Sequence, residues 1–83
     1  MAIASLVVKT KAGFAEQIRS AIQSINGLTV HTVTENHEII VLAEAPTLEE
    51  VSRLGSSIQE VDENVVSVTV AYVNNEKIEN DVG

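Results

Sequence analysis

The chain has 83 residues, 45% of them apolar, and twelve acids against five bases give a net charge of −7. That length sets one domain burying roughly 60–65% of its unfolded surface, and the charge disfavours nucleic acid and anionic membranes, which need clustered Lys and Arg. Cysteine is absent, which excludes a disulfide framework and a cysteine–zinc centre. No apolar run approaches the roughly 20 residues that span a bilayer.

The first eight residues, Met1 to Val8, carry no basic segment ahead of a long apolar run, so no secretory signal is expected and the expected compartment is the cytoplasm. Ile3 to Thr10 is valine-rich and mostly apolar, the pattern of a central strand. From Phe14 the period changes: Phe14, Ala15, Ile18, Ala21, Ile22 and Ile25 recur at helical spacing. Asn26-Gly27 supplies a left-handed stop. Leu28 to Thr34 alternates as a strand, with Leu28, Val30 and Thr32 on one side and Thr29, His31 and Val33 on the other. Residues 35–38 form a polar turn into a second central strand, Ile39 to Ala45.

Pro46 ends that strand, and Thr47 and Glu50 have capping-box spacing at the start of a second helix. Leu48, Val51, Leu54, Ile58 and Val61 are its apolar stripe. Gly55 lowers its helix propensity by about 1 kcal/mol relative to alanine, a cost expected to reflect close approach of the helix to its neighbours. Val65 to Val73 is the last strand. Strict alternation points Val66, Val68, Val70 and Tyr72 one way and Ser67, Thr69 and Ala71 the other. Residues 1–73 make the domain, and residues 74–83 read as a polar, acidic, flexible tail.

The order strand, helix, strand, strand, helix, strand consists of two split strand–helix–strand halves with right-handed crossovers. It predicts an α+β ferredoxin-like sandwich, a four-stranded antiparallel sheet with both helices on one face and the first and third strands central. The helices then cover Ala4, Leu6, Val8, Leu28, Val30, Ile39, Val41, Ala43, Val66, Val68 and Val70. By alternation the bare face carries Ile3, Ser5, Val7, His31, Val33, Ile40, Leu42, Ser67, Thr69 and Ala71, with Glu38 and Glu44 flanking Ile40 and Leu42. A contiguous apolar surface of this kind marks an interface. Its candidate occupants are a docked peptide or helix, a weak homodimer through the same face, or none.

Catalytic chemistry is not expected. His31 and His37 have no third ligand at useful spacing, and Gly13, Gly27, Gly55 and Gly83 stand alone rather than in a phosphate-binding loop. Ser5, Ser67 and Thr69 have no nearby base in sequence. Acylphosphatases share the expected fold but need an arginine in the loop after the first strand, where this chain has residues 9–13 without one. RNA-binding sheets of this topology stack bases on aromatics, and alternation leaves the bare face without any. No cofactor and no metal are expected.

Ala-Ser-Leu-Val-Val at residues 4–8, Gly27-x-x-Val30, Glu44-Ala45 and the Val-x-x-Val-x-x-x-Tyr run ending at Tyr72 resemble the NapD family over residues 3–73. These are small cytoplasmic chaperones for the catalytic subunit of the periplasmic nitrate reductase. The resemblance implies binding of the twin-arginine signal peptide of that precursor, which holds back export until the molybdenum cofactor is in place. It implies contacts from Ser5, Val7, Ser67, Thr69, Ala71 and Tyr72. Many members have histidine after the final tyrosine, where this chain has Val73. The apolar Ile40 and Leu42 and the acidic Glu38 and Glu44 suit a peptide that is cationic and then apolar, and the two carboxylates are expected to meet the arginine pair. A different class stays open: a dimeric ligand-sensing domain of the same fold, which would bind its ligand through glycine-rich turns that this chain lacks.

Overall fold

A computed structural model describes residues 1–75. The elements are β1 (Ala2–Thr10), α1 (Ala15–Gln23), β2 (Leu28–Val33), β3 (Glu38–Ala45), α2 (Leu48–Gln59) and β4 (Val65–Asn75). The strands form one antiparallel sheet in the order β2-β3-β1-β4, so β1 and β3 are central, as their apolarity requires. This is the ferredoxin-like sandwich. β4 runs two residues past Val73; residues 76–83 of the expected tail lie outside the described residues.

One side of each central strand builds the core. Ala2, Ala4, Leu6 and Val8 of β1 and Ile39, Val41 and Ala43 of β3 are buried against Ile18 and Ile22 of α1 and Val51 and Ile58 of α2. Each large aliphatic side chain contributes roughly 1.5–3 kcal/mol by leaving water. Phe14 sits at the margin of this core, partly buried. α1 packs over β2 and β3, and α2 over β1, β3 and β4.

Both helices follow their sequence signals with local changes. α1 ends at Gln23, earlier than the apolar spacing implies. The Ser24 hydroxyl donates to the Ala21 carbonyl at 2.7 Å, competing with the backbone as serine does near helix ends. Gly27, with φ +94°, closes the turn into β2 instead of capping the helix itself. At α2, the Thr47 hydroxyl accepts from the Glu50 backbone N–H at 3.2 Å, while the Glu50 carboxylate accepts from that hydroxyl at 3.4 Å; the box is therefore only half formed. Leu48, expected in the buried stripe, is 41% exposed.

Gly55 departs from its expected reason. A methyl group at its Cα would lie 3.8 Å from Leu6 Cδ1, ordinary van der Waals contact. Close approach therefore does not demand glycine there. Gly55→Ala is expected to stabilise the protein by about 0.5–1 kcal/mol through helix propensity and a less flexible unfolded chain. Urea unfolding checks this, with a raised midpoint as the expected result and a lowered one as the contrary.

Strict alternation fails at three bulges, all on edge strands, where bulges concentrate and blunt exposed edges. In β2, Val30 pairs with Val41 and Thr32 with Ile40, leaving His31 as the extra residue. Val33 therefore turns into the core and Thr32 outward, the reverse of the expectation. In β4, Val68 to Val70 face Val8 to Leu6, but Val66 and Ala71 are extra residues. Val65 packs against the core in place of Val66, which is 57% exposed. Beyond Ala71 the faces exchange: Tyr72 comes opposite Ser5, and Val73 opposite Ala4. The long, uncharged β4 edge is thus broken into two regular stretches of four residues, Ser67 to Val70 and Tyr72 to Asn75.

Candidate functional site: the open face of the sheet

Register lays out the open face in rows across the sheet. Leu42 stands between Thr29 and Ser5, and Ser5 in turn beside Tyr72. In the next row Ile40 lies between Thr32 and Val7, with Thr69 beyond. Ile3 pairs with Glu44 at one end, and at the other Lys9 stands between Glu38 and Ser67. The centre is apolar and half-covered: Ile3, Val7 and Ile40 are intermediate in exposure, Leu42 is 37% exposed and Tyr72 59%. Small hydroxyl residues flank it on both edge strands.

The face therefore assembles Ser5, Val7, Ile40, Leu42, Ser67, Thr69, Tyr72, Glu38 and Glu44 from the expected set. Ala71, the tenth, is exposed but sits in the bulge, out of register with β1. Tyr72 reaches the face only because of that bulge. The expected absence of any aromatic there is corrected to one, a single ring where RNA-binding sheets stack two or three bases. Sequence reasoning missed Thr29, Thr32 and above all Lys9. The signal for Lys9 was available, since it continues the odd-numbered series Ile3, Ser5, Val7.

Charge is unevenly placed. Lys9 Nζ lies 4.0 Å from the Glu38 carboxylate. The other ion pairs among the described residues, Arg19–Glu16 and Arg53–Glu49, lie on the helices, so Glu44 takes part in none. Glu44 lies six positions along the strand from Glu38, roughly 20 Å at strand rise. Consecutive arginines start about 3.8 Å apart, so one pair reaches both carboxylates only with its two guanidiniums extended in opposite directions along the strip. Glu38 is already paired with Lys9, so among the described residues Glu44 is the face carboxylate without an ion-pair partner.

Titration chemistry lies elsewhere. A hydrogen bond from Arg19, and its charge, hold the Glu16 carboxyl below its usual range. The Asn64 backbone N–H and then the Gln17 amide do the same for Asp62. Both are structural contacts around α1 and the loop before β4, the first exposed and the second part-buried. Among the described residues no three His, Cys, Asp or Glu side chains converge on a metal-sized site, and no helix is long and apolar enough to cross a membrane. A second apolar surface, a groove of about 310 Å³ between α2 and β4, is lined by Leu48, Val51, Gly55, Val68, Val70 and Val73. It carries no charged residue.

The solution structure of the E. coli Tat proofreading chaperone protein NapD superposes with a TM-score of 0.78 at 25% identity, over 90% of this chain and 79% of that one. The crystal structure of a hypothetical protein from Pyrococcus horikoshii shares the fold, with a TM-score of 0.76 at 14% identity over 90% of each chain. No curated protein matches the sequence significantly. The family model for NapD protein matches residues 1–77, nearly the whole chain, and the chain accordingly belongs to the NapD family.

Proposed function

We propose that this protein is a cytoplasmic chaperone that binds the twin-arginine signal peptide of a periplasmic nitrate reductase catalytic subunit and delays its export until cofactor insertion is complete. The observation that carries this reading is the open sheet face: an apolar strip along β1 and β3 with, at one end, a carboxylate that has no ion-pair partner among the described residues. A twin-arginine peptide is cationic near its start and apolar after, and it complements that strip in both respects. Family membership supports the chaperone class, and the solved E. coli relative is a Tat proofreading chaperone.

An amphipathic helix suits this surface better than an added strand. The strip runs roughly 20 Å from Glu44 to Glu38, the length of a helix of about 13 residues. The β4 edge, the alternative platform for an added strand, is interrupted by bulges at Val66 and Ala71.

Calorimetric titration with a synthetic peptide carrying the twin-arginine sequence and apolar region of a nitrate reductase precursor tests the reading. Binding at micromolar Kd or tighter is expected, weakened at least about five-fold when the arginine pair is replaced by lysines, which lack the bidentate fork. Absence of heat with either peptide contradicts it and favours the dimeric sensor class.

A further inference from the structure

The sheet face presents different charge at its two ends. Its charged side chains among the described residues are Glu44 at one end and the Lys9–Glu38 pair at the other. Among the described residues, Glu44 at the first end has no ion-pair partner. At the second, Lys9 stands 56% exposed over a carboxylate that is already half-covered. Between them the apolar side chains Ile3, Leu42, Ile40 and Val7 run along β1 and β3, so an occupant of this strip points one way or the other along the strands.

We propose that Lys9 and Glu44 together fix the direction of the bound peptide, with its cationic end at Glu44 and Ile3 and its apolar segment ending over Lys9 and Glu38. This rests on the reading of the face as a signal-peptide site and adds a polarity to it. The reverse direction would set an arginine pair against the Lys9 ammonium, and like charges facing one another across an interface select against the wrong arrangement. It would also leave Glu44 under the apolar segment without a partner, a desolvated charge with no compensation. Lys9 in this account is a positioning residue: it repels the wrong end instead of gripping the right one.

The test is paramagnetic broadening in the isotope-labelled full chain, using a twin-arginine peptide with a nitroxide either beside the arginines or at the end of its apolar segment. The label beside the arginines should broaden the amides of Ile3 and Glu44 several-fold more than those of Lys9 and Glu38, and the other label should do the opposite. The charge exchange Lys9→Glu with Glu44→Lys leaves net charge unchanged and should reverse both patterns, with circular dichroism confirming the fold. Broadening that stays in place in the exchanged protein, or that falls equally on both ends in the native one, overturns the polarity while leaving face binding intact. Broadening confined to α1 and α2, or no binding, overturns the face reading and the polarity with it.

Discussion

Val7→Glu is expected to lower affinity for a twin-arginine signal peptide by roughly 30-fold with no loss of fold. Val7 stands at the middle of the strip, between Ile40 and Thr69, on the side of β1 opposite the core. In the free protein a glutamate there reaches water, so the folded state tolerates it. Beneath a docked peptide the same carboxylate is stripped of water opposite apolar side chains. A cost of about 2 kcal/mol, at the low end for an unpaired polar group, corresponds to that factor. The loss should persist in high salt because desolvation, unlike attraction between exposed charges, is not screened. Calorimetry on a variant with native circular dichroism reads it directly, and unchanged affinity would remove the strip from the binding site.

Gly27→Ala is expected to destabilise the protein by about 3 kcal/mol, lowering Tm by roughly 15 °C. The backbone there is left-handed at φ +94°, and an added Cβ would lie 2.9 Å from Leu54 Cδ1 and 3.0 Å from the Glu44 carbonyl oxygen. The left-handed conformation costs a non-glycine residue about 1–2 kcal/mol, and over-packing adds about 1–3. Gly13→Ala provides the control, because Gly13 has a similar φ of +89° but nothing within 4 Å. Only the conformational cost, about 1 kcal/mol, applies to it. The steric term also reaches the proposed peptide site. Glu44 N–H donates to the Gly27 carbonyl at 2.8 Å, so pushing Gly27 away disturbs the strand end that presents Glu44. Thermal melts of the two variants that coincide would show that the contact with Leu54 and Glu44 relaxes freely.

The element order and the two central strands were legible because local pattern and tertiary demand agree there. β1 and β3 are apolar on both sides, one side filling the core and the other lining the strip, and residues such as Leu6, Val8, Ile39 and Val41 are buried as alternation requires. The edge strands were legible in position but not in facing. A single extra residue reverses every side chain beyond it, and nothing in Leu28–Val33 or Val65–Asn75 marks where the extra residue falls. Thr32, Val33, Val65 and Val66 consequently exchange their expected sides. Tyr72 belongs to the face because of a bulge that periodicity does not register; the family resemblance, which depends on the tyrosine and not on its geometry, included it.

Lys9 was lost for a different reason. A lysine ending an apolar run reads as a boundary, although its place in the odd-numbered series puts it on the face with Val7. Its pairing with Glu38 depends on the β1–β3 register, which sequence alone does not supply. The acidic rim expected at both ends of the strip is therefore acidic at one end and balanced at the other.

The protein is not an enzyme; it belongs to the NapD family, whose solved E. coli member is a Tat proofreading chaperone, and the face that remains open is the one proposed to hold a partner. Both α1 and α2 lie on one side of the sheet, and their apolar stripes are spent on the core, so the unsatisfied apolar surface of β1 and β3 lies on the opposite side. The α2–β4 groove is the competing surface. Its lining is mostly apolar, with Ser52, Ser56 and Gln59 but no charged residue, which gives a cationic peptide end no carboxylate to meet.

Amide chemical-shift mapping of the full chain during titration with the twin-arginine peptide is the most direct measurement of the central claim. The predicted result is perturbation concentrated on Ile3, Ser5, Val7, Ile40, Leu42, Thr69 and Tyr72, with Gly55 and Val51 of α2 little changed. Perturbation concentrated on Leu48, Val51, Gly55 and Val70 would place the peptide in the α2–β4 groove and contradict the sheet-face account.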